Sequence, residues 1–140
     1  MRILALDYGE KRIGIAITDP GLITAQPLKF IERQNFWVEF PALLQLYPEI
    51  GKIIVGLPKR LSGELGPAAQ KVMAFVEAIK KKYPSLPEII LWDERFTTVL
   101  AEKSLIALSQ NRKKRKSTID QTAAYFLLQD YLEHFKRHEK

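Results

Sequence analysis

A mixed α/β sheet with helices on both faces is the architecture that this chain of 140 residues predicts. Three observations point to it. Two short apolar runs, Arg2 to Asp7 and Ile13 to Thr18, are joined by a tight Gly9-Glu10-Lys11 turn. Beyond them, strand patterns alternate with helix patterns. Apolar residues make up 46% of the chain, enough to bury a hydrophobic core, so a single domain over residues 1–140 is expected.

Arg2 to Asp7 reads as a buried strand, and Ile13 to Thr18 as its antiparallel hairpin partner, because so short a link allows no crossover. Pro20-Gly21 breaks the chain, and Leu28 to Ile31 is the third strand. Phe36 to Tyr47 is helical by the spacing of Trp37, Phe40, Leu44 and Tyr47. Lys52 to Val55 is a strand that runs into the Gly/Pro-punctuated loop GLPKRLSGELGP. Pro67 suits the first turn of the next helix, which carries Val72, Phe75, Val76 and Ile79 on one face. Pro84 and Pro87 end it. Glu88 to Trp92 is the last strand. Thr97 or Thr98 caps a helix running to Ser109, and Ser117 starts a long final helix that ends near Phe135.

The chain has no cysteine, which excludes disulfides and thiolate metal sites. It has neither the pattern of a signal peptide nor a long apolar run, so a cytoplasmic protein without a membrane partner is expected. The net charge of +6 favours a polyanionic partner, and five of the basic residues sit together from Arg112 through Lys113, Lys114 and Arg115 to Lys116.

Three acidic sites stand out. Asp7 ends the first strand, Asp93 and Glu94 follow the last one, and Asp120 lies in the first turn of the expected final helix. Parallel strand ends at one sheet edge are where α/β sites form, so Asp7 and the Asp93-Glu94 pair can converge there. Asp120 completes a capping box, Ser117-Thr118-Ile119-Asp120, and an acid is favoured there by the helix dipole. It also shares a stripe with Ala124, Leu127, Leu128 and Tyr131, and that stripe should face the sheet. Both roles are open.

Carboxylates held close together repel one another, and a divalent cation relieves the repulsion. Oxygen ligands suit Mg²⁺ or Mn²⁺. Two such ions about 3.5–4 Å apart can activate an attacking water and stabilise the leaving oxygen of a phosphodiester. A capping-and-turn role for the same acids is the structural alternative.

Four blocks, LDYGEKRIGIAITDP, IIVGLPKRLSGELG, LWDERFTTVLAEKSL and KSTIDQTAAYFLLQDYL, together resemble the YqgF/RuvX family of bacterial proteins. They occur in the family's order and cover nearly the whole chain. The resemblance implies an RNase H-like fold, with a five-stranded sheet in the order 3-2-1-4-5 and strand two antiparallel. It implies a metal-dependent nuclease whose acidic residues match Asp7, Glu94 and Asp120, with Asp93 as an alternate ligand. It implies maturation of the 5′ end of 16S ribosomal RNA, with the ribosomal particle as a possible partner, or resolution of Holliday junctions in branched DNA. The chain departs from the family pattern in one loop. Asn and an acidic residue commonly precede the glycine there, whereas this chain reads Lys59-Arg60-Leu61-Ser62-Gly63.

Lys11, Arg12, Lys59, Arg60 and Arg95 join residues 112–116 as candidate contacts to a nucleic-acid backbone. Such contacts give affinity without sequence readout and weaken with salt. Each has a plainer reading as a solvated turn or an ion pair, Arg95 with Asp93 or Glu94. Gly9 suggests a positive-φ turn. Tyr8 can stack on a base or pack under its loop. A binding factor for ribosome assembly or transcription, with little catalysis, fits the basic run equally. A sugar-kinase or actin-like ATPase shares the DYGEKRIG hairpin, but needs two such lobes. A monomer or a homodimer is expected.

Overall fold

The structure, a computed structural model, describes residues 1–94 and 113–138, with side chains described over 1–94 and 123–137. Strand β1 (Arg2–Tyr8) turns back into β2 (Arg12–Thr18). There follow β3 (Ala25–Glu32), a 3-10 turn (Arg33–Asn35), helix α1 (Phe36–Leu46), β4 (Ile50–Leu57), α2 (Pro67–Lys82), β5 (Glu88–Asp93) and α3 (Lys113–His138). The strands form one sheet in the order β3-β2-β1-β4-β5. β2 is antiparallel to both neighbours, while β1, β4 and β5 are parallel. This is the order and orientation that the resemblance implies. The expected helix from Thr97 or Thr98 to Ser109 lies outside the described residues, as do Arg95 and Arg112.

Alternation along β1 sends Leu4 and Leu6 to one face of the sheet and Ile3 and Ala5 to the other. The first face packs with Ile13, Ile15 and the buried residues Phe36, Phe40, Val72, Phe75 and Ile79 of α1 and α2. The second packs under α3, where Ala123, Ala124, Leu127, Leu128 and Tyr131 meet Ile3, Ala5, Ala16 and Ile54. Small side chains dominate this second layer: Ala5, Ala16 and Ala124 have no exposed surface. They let α3 lie close on the sheet.

Three expectations change. β3 is longer than Leu28 to Ile31, because Pro27 does not break it. β3 is an edge strand, and its register passes from Ile15↔Lys29 to Ala16↔Pro27, leaving Leu28 as an extra residue. A proline is tolerated at such a bulge. The final helix starts at Lys113 instead of Ser117. Lys and Arg are good helix formers, so Lys113 to Lys116 join the helix and the Ser117-to-Asp120 box is interior to it. Gly9 does not have a positive φ; among the described glycines Gly63 does, at 95°. Gly9 donates its amide to the Arg12 carbonyl at 3.0 Å, and a Cβ at Gly9 would overlap that oxygen. Space is what requires glycine in this turn.

Pro41 lies inside α1 and cannot donate to the carbonyl of Trp37, four residues back. The Tyr83 hydroxyl donates to that carbonyl instead, at 3.3 Å, and ties α1 to the end of α2.

The Asp19 carboxylate organises the link between β2 and β3. It accepts from the amides of Gly21, Ile23 and Thr24 at 3.0, 2.8 and 2.6 Å. These bonds, that from Thr24 foremost, hold its pKa below the ordinary 3.8. A depressed carboxylate contributes stability that is present above the unfolded value and is lost as pH falls through the folded one. Asp19→Asn is therefore expected to be less stable than the wild type at neutral pH. The gap should close below pH 3.8, which denaturant melts across acid pH would measure.

Candidate active site

Asp7 follows Ala5 on the α3 face of β1 and is only 5% exposed. It pairs with Gly14 across the hairpin. On the other side, β4 pairs Val55 with Leu6, which brings Gly56 alongside Asp7. Gly56 pairs in turn with Trp92 of β5. Glu94 stands just past β5, in phase with Ile90 and Trp92 on the α3 face, and is 2% exposed. Its carboxylate lies over Gly56, where a Cβ would overlap Oε2. Glycine thus lets a carboxylate from β5 reach over β4 toward β1. Asp7 and Glu94 are the buried carboxylates among the described residues. Buried charge is costly unless it is paired or holds a cation.

Asp93 lies in the opposite phase of β5. Its Oδ2 is 3.8 Å from Lys59 Nζ. The following loop is closed on itself: the Arg60 amide donates to the Glu64 carbonyl and the Gly63 amide to that of Arg60. The Arg60 guanidinium lies on Gly66, where a Cβ would overlap Nε. Arg12 is in phase with Gly14 on the Asp7 face, its guanidinium 5.5 Å from the Phe30 ring centre. Lys11 is exposed at the hairpin tip.

The C-terminal part of α3 is fixed at the end of the sheet where β1 and β4 begin. Lys52 donates to the Tyr131 hydroxyl at 3.3 Å, and Lys136 to the Ile23 carbonyl at 3.1 Å. The helix extends from there back along the sheet. Asp120 is eleven residues before Tyr131, about 16 Å along the axis. Its side chain, like those of Lys113, Lys114, Arg115 and Lys116, lies outside the described ones. Among the described residues, no three Asp, Glu or His side chains gather where they could hold a metal.

The structure therefore brings Asp7, Glu94 and Arg12 to one face, and sets Asp93 with Lys59 apart from them. Sequence reading missed Gly56 and Arg33. The signal for Gly56 was a lone glycine at a strand end. Arg33 carried none. Its guanidinium donates to the Glu10 carbonyl at 2.6 Å and to the Tyr8 hydroxyl, and lies 4.7 Å over the Tyr8 ring. It braces the hairpin next to Asp7. Tyr8 packs under its loop, 4.4 Å from the Phe75 ring.

A five-stranded mixed sheet with buried acids at the ends of β1 and β5 defines an RNase H-like fold of the resolvase type. A RuvC solved as "T. thermophilus RuvC in complex with Holliday junction substrate" superposes with a TM-score of 0.54 at 12% identity, covering 98% of this chain and 96% of that one. The fowlpox virus resolvase, solved with Holliday junction DNA, gives 0.51 at 15%, covering 96% and 99%. Residues 1–134 match the RuvX family, described as Holliday junction resolvase, and the chain belongs to that family. A relative in Thermoanaerobacter pseudethanolicus, named "Putative pre-16S rRNA nuclease", is 49% identical over 95% of this chain and 96% of its own. Relatives of the same name in Clostridium tetani and Listeria monocytogenes are 44% and 42% identical, each over 95% of this chain and over 96% and 98% of their own lengths.

Proposed function

We propose that the protein is a divalent-metal-dependent endonuclease that matures the 5′ end of 16S ribosomal RNA from its precursor. The observation that carries this reading is the placement of two buried carboxylates, Asp7 and Glu94, on one sheet face across Gly56. Relatives at 42–49% identity that bear the rRNA-nuclease name support the substrate.

The donors fit the metal. Both are hard carboxylate oxygens, and Gly56 leaves room for one of them to lean toward the other. Asp7, Glu94 and Asp120 would hold Mg²⁺ or Mn²⁺, with Asp93 left to Lys59. Two ions held there supply Lewis-acid stabilisation for in-line displacement at phosphorus. The chain's own residues do the positioning. β1 and β5 fix two of the acids on a rigid sheet, and their burial keeps bulk water away. The direction of α3 carries Asp120 toward the same end. Arg12, Lys11, Arg95 and the basic residues 112–116 grip the phosphate backbone. No helix among the described residues is long and apolar enough to cross a membrane. An rRNA precursor as substrate puts the protein in the cytoplasm, with the ribosomal particle as its setting.

The family description favours a second substrate, the four-way DNA junction. Both substrates are tested with Mg²⁺, Mn²⁺ and EDTA at low and moderate salt. Cutting of a precursor 16S leader that stops in EDTA and weakens as salt rises is the expected result. Cutting of the junction alone moves the assignment to DNA. Salt-sensitive binding without cutting, on free RNA and on the ribosomal particle, turns the protein into a binding factor.

A further inference from the structure

A cleft of about 390 Å³ between the β1–β2 hairpin, α1 and α2 has no part in the chemistry above. Its volume is in the range of ligand sites. Tyr8 and Trp37, both half-buried, make its wall aromatic with the buried Phe36 and Phe75 behind them, and Arg33 and Lys71 add two positive charges. No acidic side chain is among its described lining residues. The wall is built to stay in place. The Tyr83 hydroxyl holds the Trp37 carbonyl, Lys82 lies 5.2 Å from the Trp37 ring, and Arg33 is fixed by Glu10 and Tyr8.

Tyr8 follows Asp7 directly, so the cleft begins about 3.3 Å of strand away from the candidate active site, on the other face of the sheet. A nucleic-acid strand that crosses the hairpin at Asp7 passes its mouth. Aromatic surface with an arginine plane binds unstacked bases, and cations bind their phosphates.

We propose that this cleft takes one unpaired nucleotide of the substrate strand, its base against the aromatic wall and the Arg33 guanidinium, its phosphate at Lys71. The proposal rests on the nuclease reading. It makes the cleft a ruler: an anchored nucleotide fixes which phosphate lies over Asp7.

Ala74 and Ala78 line the cleft from exposed positions of α2, so a bulky side chain there fills it without entering the core. The test is an abasic scan along a single-stranded RNA from the precursor leader. Affinity is measured in EDTA for wild type, Ala74→Trp and Lys71→Glu, and cleavage is measured separately with Mg²⁺. An abasic site at one position is expected to weaken wild-type binding about tenfold, and the position dependence should vanish in both variants. A flat scan in a wild type that still cuts overturns the cleft and leaves the nuclease reading standing. A peak that survives in both variants places the base elsewhere and also overturns it. A wild type that neither binds nor cuts overturns both.

Discussion

Asp7→Asn is expected to lower cleavage by at least about a thousandfold while the protein stays folded and still binds nucleic acid. That loss corresponds to about 4 kcal/mol of barrier. Asn has nearly the shape of Asp, so β1 keeps its place between β2 and β4. What changes is the charge at a position 5% exposed and facing the same side as Glu94. The phosphate is gripped by other side chains, so affinity for RNA in EDTA should hold. A second readout does not depend on activity. A ligand that binds only the native state raises the melting temperature. Mg²⁺ should therefore raise that of the wild type and leave that of Asp7→Asn unmoved. Equal stabilisation of both proteins would remove Asp7 from the metal site, and full cutting by the variant would remove it from the chemistry.

Gly56→Ala is expected to cost about a hundredfold in activity and less than about 1 kcal/mol in stability. The added Cβ would meet the Glu94 carboxylate, the far end of a flexible side chain, so the acid gives way and the sheet holds. A displacement of about 1 Å at a reacting group is enough for a loss of this size. Glu94→Gln should lose activity as well, and Gly56→Ala added to it should do little more, since both act through one carboxylate. Rates and urea melts of the two single variants and the double variant would check this. Wild-type activity in Gly56→Ala would show that the position of Glu94 is immaterial. Loss of folding would make Gly56 a packing residue instead.

The parts of the fold that sequence made legible were those set by local chemistry. The hairpin followed from a short link, α2 from Pro67 and its apolar face, and the α3 stripe from the spacing of Ala124, Leu127 and Tyr131. Misreadings arose where tertiary context outweighed a local signal. The third strand was read as starting at Leu28 because an edge and a bulge cannot be seen in one dimension. Ser117 looked like a helix start because a capping pattern does not reveal that the turn before it is helical too. The acids themselves could be picked out, since apolar strands ending on carboxylates are conspicuous. That they can converge followed from parallel strand ends, but how they do so did not. That Glu94 crosses over Gly56 depends on the pairing of β4 with β5, and the bracing of Tyr8 by Arg33 joins residues far apart in the chain.

The alanine layer beneath α3 bears on why the acids differ in length. Ala5 and Ala16 of the sheet face Ala123 and Ala124 of the helix, which keeps the gap between the two thin. An acid carried on a strand next to the site needs only the short arm of Asp, as at Asp7. One that must span a neighbouring strand needs the extra methylene of Glu, as at Glu94. Leucine in place of the alanines would widen the gap in which both side chains lie, so the smallest side chains of the core set the room given to its most polar ones.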